Sequence, residues 1–360
     1  MDETSLKVGL IGYGFAGKTF HAPVVAGVPG LALAAVASSS AAKVQADWPG
    51  MAVAPTPADL IARPDIDLVV IATPNDSHHA LAKAALLAGK HVVVDKPFTV
   101  TRAQAEELAA LADAQQRVLS VYQNRRFDAD FLTLRSIVAD GALGRLVFFE
   151  SHFDRFRPKV LVRWRDQAGP GGGIWVDLGS HLVDQAVQLF GVPDAIAADM
   201  APIRDDAVVE DYFHVQLRYL RGPHAGLRVV LHATTLAAEP APRYLVHGTR
   251  GSYVKHGVDP QEDALKAGAR PRLDALGDWG GDSRDGRLTV YGEDGATLQS
   301  RACPTLAGNY LAYYAAVRDA VRGKGVNPVT PKEAVQLMAL LELGRRSAEE
   351  RRELAVAPLP

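Results

Sequence analysis

Short apolar runs and longer stretches of helical period alternate through the first third of the chain. Lys7–Ile11, Leu31–Ala37, Asp67–Ala72, Val92–Val94 and Leu119–Tyr122 are rich in Val, Ile, Leu and Ala. Runs this short and this apolar predict strands buried on both faces. Helical stretches lie between them: one after Gly17 that Pro23 should kink or end early, Ala80–Ala88 behind Ser77 as cap, and Thr101 to about Gln115. Strand alternating with helix at this spacing predicts an α/β, doubly wound parallel sheet.

From Phe127 the pattern changes. A helix to about Ala139 is broken by Gly141 and Gly144, and a long strand follows at Val147–Phe153. The segments Ala195–Ala201, Tyr212–Tyr219, Leu227–Ala233, Tyr244–His247 and Ser252–Lys255 are strand-like with no helix-length pattern between them, which predicts antiparallel pairing. The polar stretch Gly257–Arg287 reads as a long loop, functional or disordered. Two helices close the chain, the last opening on the capping box Thr330-Pro331-Lys332-Glu333. The expected division is a nucleotide-binding domain over 1–124 and an α+β domain over 125–360, with the C-terminal helices able to pack back on the first.

Composition narrows the classes. A chain of 360 residues favours two domains. A net charge of −2 gives no reason to expect a nucleic-acid or anionic-membrane partner. The single cysteine, Cys303, cannot form an internal disulfide and suits a reducing compartment. No leader pattern is visible, and the apolar runs fall short of the ~20 residues of a membrane span, so a cytoplasmic location is expected.

The candidate chemistry gathers at strand ends. Gly12-Tyr13-Gly14-Phe15-Ala16-Gly17 follows the first strand with the spacing G-x-G-x-x-G. The glycines allow a tight turn, approach of a pyrophosphate to the backbone, and close helix–strand packing. The second strand ends in Ser38-Ser39-Ser40, and no Asp or Glu occurs from Leu31 to Ala46. An acid that would bind a ribose 2′-OH is missing, while hydroxyls and Lys43 could meet a 2′-phosphate, so NADP is expected over NAD. A serine turn capping a short helix is the alternative. Thr73, Asn75, Lys96, Asn124 and Arg125 all fall just past strand ends, on the edge where open α/β sheets bind ligands. Lys96 could hold or protonate a hydroxyl oxygen, with Pro97 aiming it stiffly. Further on, a basic segment holds Arg155, Arg157, Lys159, Arg163 and Arg165 among Phe156 and Trp164, of which one or two could bind a polyol or the cofactor. After the glycine run Gly169–Gly173 come Asp177 and His181, four apart and expected on one helical face. A histidine with a nearby carboxylate suits general base work. No metal-ligand pattern is expected.

In this order the motifs resemble the Gfo/Idh/MocA oxidoreductases: the glycine fingerprint, Thr73-Pro74-Asn75 with His78, Asp95-Lys96-Pro97, Asn124-Arg125-Arg126, and Gly172-Gly173 followed by Asp177 and His181. Asp95 stands where the family commonly has Glu. The resemblance implies a Rossmann domain joined to a domain with a large open, mainly antiparallel sheet, and a homodimer or homotetramer packed through that sheet. It implies Lys96, Asp177 and His181 as the catalytic group, with Arg157 and Trp164 also at the substrate. Cofactor contacts are expected from Gly12, Gly14, Phe15, Ala16, Ser38, Ser39, Lys43, Thr73, Pro74, Asn75, His78, Asp95, Lys96, Asn124 and Arg125. Phe20-His21-Ala22-Pro23, Arg163-Trp164-Arg165 and Asp259-Pro260-Gln261-Glu262 look like the branch holding NADP-dependent scyllo-inositol dehydrogenases. A cyclic polyol or sugar, oxidised at a secondary alcohol or formed from its ketone, is the expected substrate. A non-catalytic NADP-binding regulator, and a sugar oxidoreductase with tightly bound cofactor, remain open.

Overall fold

The structure, a computed structural model, describes residues 5–161, 166, 167, 169, 171–292 and 295–357; Trp164, with Arg163 and Arg165, lies outside them. The chain forms two compact units. One comprises Met1–Phe127, Pro260–Trp279 and Asn309–Met338; the other comprises Asp128–Asp259, Gly280–Gly308 and Ala339–Pro360. The boundary expected after residue 124 falls after Phe127, and two later segments fold with the first unit.

In the first unit, strands β1 (Leu6–Ile11), β2 (Leu31–Ala37), β3 (Ala52–Ala54), β4 (Leu68–Ile71), β5 (His91–Val94) and β6 (Leu119–Val121) form one sheet in the order β3-β2-β1-β4-β5-β6. Every pairing is parallel. The order reverses at β1, so the crevice past the carboxyl ends of β1 and β4 is the expected ligand position. Val92, Val93 and Val94 are fully buried, as their unbroken apolar run requires. The connecting helices are α1 (Ala22–Ala26), α2 (Ala41–Asp47), α3 (Pro57–Ile61), α4 (His78–Leu87) and α5 (Arg102–Ala114). Thr101 caps α5 in a capping box with Gln104. Ser77 does not cap α4 through its side chain; its hydroxyl bonds Pro74 O at 2.7 Å and pairs with Thr73 Oγ1 at 2.6 Å. Pro23 sits in the first turn of α1, directly after a π-helical turn at Gly17–His21.

The later segments join this unit through an aromatic cluster that no local pattern announces. Tyr313 and Tyr314, on α9 (Leu311–Val321) in the Asn309–Met338 segment, lie 4.9 and 5.5 Å from the Tyr122 ring. Tyr313 donates to Ser120 Oγ at 2.8 Å. The polar stretch 257–287 is not structureless. It contains α8 (Gln261–Lys266), whose Gln261 Oε1 accepts from Tyr310 N and Trp279 Nε1.

The second unit is built on nine strands: β7 (Leu146–His152), β8 (Ala195–Ala201), β9 (Tyr212–Arg218), β10 (Arg228–Thr234), β11 (Tyr244–Gly248), β12 (Gly251–Lys255), β13 (Gly286–Tyr291), β14 (Leu298–Cys303) and β15 (Leu354–Ala355). Their order is β14-β13-β12-β11-β7-β10-β9-β8-β15, antiparallel except for the parallel pair β7 and β10. Strands β13, β14 and β15, like β3 of the first unit, fall outside the predicted set. β14 is exposed along nearly its whole length, so no buried face marks it as a strand. One sheet face buries Phe149, Phe213, Val215 and Leu231. Helices α6 (Ala129–Ala139) and α7 (Ser180–Phe190) belong to the same unit, and the last helix, α10 (Pro331–Glu350), opens on the predicted capping box. Among the described residues no helix is long and apolar enough to cross a membrane.

Candidate functional site

The glycine turn after β1 has a distinct reason at each glycine. Gly12 has φ +95°, and a Cβ there would lie 2.6 Å from Ala72 O. A Cβ on Gly17 would lie 2.0 Å from Gly12 O. Gly14 differs: a Cβ would meet nothing within 4 Å, so its backbone faces open space. A turn pinned on both sides and open in the middle fits a phosphate-binding loop. Phe15 is exposed and packs edge-on against Phe20, with Ala16 half-buried beside it.

At the end of β2, Ser40 N donates to Ser38 Oγ at 3.2 Å, and Ser40 makes no side-chain cap on α2. Ser39 and Lys43 are exposed. The first acid after the strand, Asp47, is already engaged by the Tyr13 hydroxyl at 3.0 Å and Lys18 Nζ at 2.8 Å. Burial, with Asp47 against it, pushes the Tyr13 hydroxyl up to about 12.

The ends of β4 and β5 are tied together by His78. Its ring nitrogens lie 2.9 Å from Pro97 O and 2.9 Å from Thr73 O, and the ring is buried. Both nitrogens are thus taken by backbone, and His78 holds Thr73 and the Lys96–Pro97 segment in register. The Lys96–Pro97 peptide is cis. Asp95 Oδ1 accepts from Lys96 N at 2.8 Å and lies 3.6 Å from His21 Nε2, while His21 Nδ1 lies 2.6 Å from the Tyr314 hydroxyl. Burial alone would raise Asp95, but His21 and the flanking cations outweigh it and hold the carboxyl below the usual range. Asn75, at the end of β4, is buried, and its Nδ2 has no hydrogen-bond partner among the described residues. An orphaned donor at that edge is a second feature that suits a bound dinucleotide. Pro74 immediately precedes it. Past β6, Asn124 is buried, and Arg125 is buried against Glu262 of α8 at 2.5 Å. Arg125, expected at the cofactor, pairs its guanidinium with Glu262 of the polar stretch.

In the second unit, Gly173 has φ +90°, and a Cβ there would strike the Glu210 carboxylate at 2.1 Å. The close approach that the glycine run makes possible is to that side chain, which Arg345 pairs at 2.8 Å. Trp175–Gly179 then forms a π-helical turn leading into α7. Asp177 and His181 therefore do not share one regular α-helical face, as their spacing had predicted: Asp177 lies in the wider turn and His181 in α7. The wider turn lets the fully buried Trp175 indole lie over Gly179, where a Cβ would come 2.3 Å from the ring. Trp175 Nε1 donates to Leu341 O at 2.9 Å. Helix α7 is fixed to the sheet through Gln185, whose Oε1 accepts from Arg243 at 2.7 Å and from the Tyr244 hydroxyl at 3.0 Å. Arg243 also pairs with Asp130 at 3.1 Å. Asp177 and His181 are both buried. Asp177 belongs to the wall of a cavity of about 470 Å³, with Arg155, Arg157, Lys159, Arg204, Glu210 and Thr234 among the other lining residues.

Sequence reasoning passed over one group. His152, Asp154 and His232 come together on the second unit's sheet. Its signals were present in His152-Phe153-Asp154 and in the histidines alternating with apolar residues at 214 and 232.

Fold and motifs place the chain in a family of dinucleotide-dependent enzymes. Residues 6–123 match the oxidoreductase family's NAD-binding Rossmann fold, and residues 135–356 match its C-terminal alpha/beta domain. The chain belongs to the Gfo/Idh/MocA oxidoreductase family. Among curated relatives, it is 56% identical over 354 residues to the uncharacterized oxidoreductase YdgJ of Escherichia coli, covering 98% of this chain and 99% of that one. It is 35% identical over 352 residues to the scyllo-inositol 2-dehydrogenase (NADP(+)) IolW of Bacillus subtilis, covering 97% and 96%. Among solved structures, a putative oxidoreductase from Yersinia pestis superposes with a TM-score of 0.93 at 53% identity, covering 99% of each chain.

Proposed function

We propose that this oxidoreductase is an NADP-dependent dehydrogenase or reductase of CH–OH groups, acting on a cyclic polyol or sugar of the scyllo-inositol/inosose kind. The observation that carries the reading is the cavity of about 470 Å³, whose wall sets Asp177, arginines, a lysine and threonines among the apolar Ile174, Leu178 and Val209. That volume suits a small ligand, and those groups suit a ring of hydroxyls. Full-length similarity to a relative named as an NADP-linked scyllo-inositol dehydrogenase supports the substrate class.

The glycine turn and Asn75 would hold the diphosphate side of the cofactor, and Ser38, Ser39 and Lys43 the 2′-phosphate. The cofactor, when bound, supplies a nicotinamide carbon that accepts or gives a hydride. His181 takes the proton from the reacting hydroxyl, and Lys96 stabilises the oxygen as it gains negative charge. Asp177 orients the substrate from the cavity wall. Arg157 contacts the polyol; Trp164 is proposed beside it from the family resemblance alone. The reverse path reduces the ketone. A homodimer or homotetramer formed through the nine-stranded sheet, in the cytoplasm, completes the proposal.

The test is turnover of inososes, inositols and aldoses with NADPH and NADH. Wild type should favour the NADP form and a cyclic polyol. Lys96→Ala and His181→Ala should each lose about 10²-fold or more in kcat, the scale of one acid–base or oxyanion contribution. Near wild-type rates in both variants would reject the mechanism. Tight NADPH binding with no turnover across the screen would favour a regulatory module.

A further inference from the structure

The sheet of the second unit brings three histidines into one row. On the parallel pair, His152 of β7 stands opposite His232 of β10; on the antiparallel pair, His232 stands opposite His214 of β9. Strand alternation puts these side chains on the face opposite Phe149, Phe213 and Leu231, which are buried. Asp154 follows His152 by two residues and returns a carboxylate to the same place. Its Oδ2 lies 3.0 Å from His152 Nδ1, and its Oδ1 lies 2.9 Å from His232 Nδ1. One donor atom from each of the three residues lies within 4.8 Å of the others, and all three are half-buried. Among the described residues this is the one such group. The mechanism proposed above uses none of it.

We propose that His152, Asp154 and His232 bind a divalent transition metal of the zinc type. Two imidazoles and one carboxylate are a donor set that zinc takes readily, with a fourth position left for water. Metal–ligand distances near 2.1 Å imply ligand separations of about 3.4 Å in a tetrahedral site. The observed 2.9 and 3.0 Å are a few tenths of an ångström shorter, so side-chain rotation alone opens the site.

The surrounding groups are placed to support this. Glu150 projects from β7 on the same face, and its Oε1 lies 2.9 Å from His152 Nε2. Nδ1 donates to Asp154 Oδ2; on metal binding it would give up that proton, and the carboxylate on the far nitrogen would hold the ring in place, an arrangement that recurs around histidine ligands. The His214 ring lies 6.0 Å from that of His232 and is the nearest further imidazole. The two strand ends that the metal would join lead straight into the cavity. Arg155 follows Asp154, Thr234 and Thr235 follow His232, and all three line the cavity wall. Arg155 N already bonds Thr234 O at 2.9 Å. The metal would clamp β7 to β10 at the cavity's base, with its fourth position open to water.

The experiment uses untagged full-length protein stripped with a chelator and titrated with zinc alone, in competition with a chromophoric chelator. Wild type is expected to bind one equivalent and to gain thermal stability with zinc. Asp154→Asn and His232→Gln should weaken binding at least tenfold and abolish the stability gain. Glu150→Gln should weaken it about 10- to 100-fold, the effect expected of a group that only orients a ligand. Far-UV circular dichroism checks that the variants fold. Should a variant unfold, the cobalt(II) form of wild type decides: tetrahedral nitrogen–oxygen absorption bands support the site, and a purely octahedral spectrum overturns it. Equal zinc affinity in wild type and in a folded His152→Gln, His232→Gln double variant, or no binding at all, also overturns it.

Discussion

A methyl group at position 17 would sit 2.0 Å from the carbonyl oxygen of Gly12. Gly17→Ala therefore forces the turn open. The expected outcome is a loss of about 1–3 kcal/mol in denaturant unfolding, the usual cost of overpacking, with weakened NADPH binding by fluorescence titration. A variant as stable as wild type would show that the turn relaxes freely. The pairing of Arg125 with Glu262 makes a different kind of prediction. Burial opposes the Glu262 charge, but Arg125 and Lys266 outweigh it and hold the carboxyl at about 2. A depressed carboxyl adds stability above its ordinary value, and that stability fades as the pH falls toward the folded value. Glu262→Gln should be less stable than wild type at neutral pH and converge with it as the pH falls to about 2. A gap that stays constant through acid titration would refute the charge-dependent part. The sequence marked Arg125 as a polar residue past a strand end; its partner lies 137 residues away in a stretch read as loop, so the ion pair was not legible.

At the scale of elements, the central strands β4 and β5 of the parallel sheet were readable because they are buried and apolar along nearly their whole length, while the short, partly exposed edge strand β3 was not. Capped helices were readable too: Thr101 with Gln104 and Thr330 with Glu333 are local bonds between residues three apart. The turn before α7 was not. The spacing of Asp177 and His181 reads as α-helix, while the Trp175 ring lying over Gly179 goes with a wider turn. Gly179→Ala would place a Cβ 2.3 Å from that ring. It should destabilise the protein by about 1–3 kcal/mol and lower kcat, because it displaces Asp177 relative to His181. Calorimetry with steady-state kinetics checks both, and a variant with changed stability but unchanged kcat would separate the turn from the chemistry.

For the whole molecule, cofactor binding and stability are linked. A ligand that binds only the folded protein stabilises it by about 2.7 kcal/mol at a hundredfold excess over Kd. NADPH at equal concentration should raise the melting temperature more than NADH, and Ser39→Asp should reverse the order by putting a carboxylate where the 2′-phosphate is proposed. Equal shifts in wild type would argue against the NADP preference. Sequence alone determined that the first third is a doubly wound sheet, five of its six strands and the glycine turn, because each follows from local period, burial or backbone freedom; β3 and α3 were not read. Tertiary structure decided what depends on distant partners. The segments 260–279 and 309–338 fold with the first unit because Tyr313, Tyr314 and Gln261 find their partners there. Three histidines from separate strands become one row only when β7, β10 and β9 take up their register. No local rule carries that information, because pairing between strands far apart in sequence is set by the packing of the whole sheet.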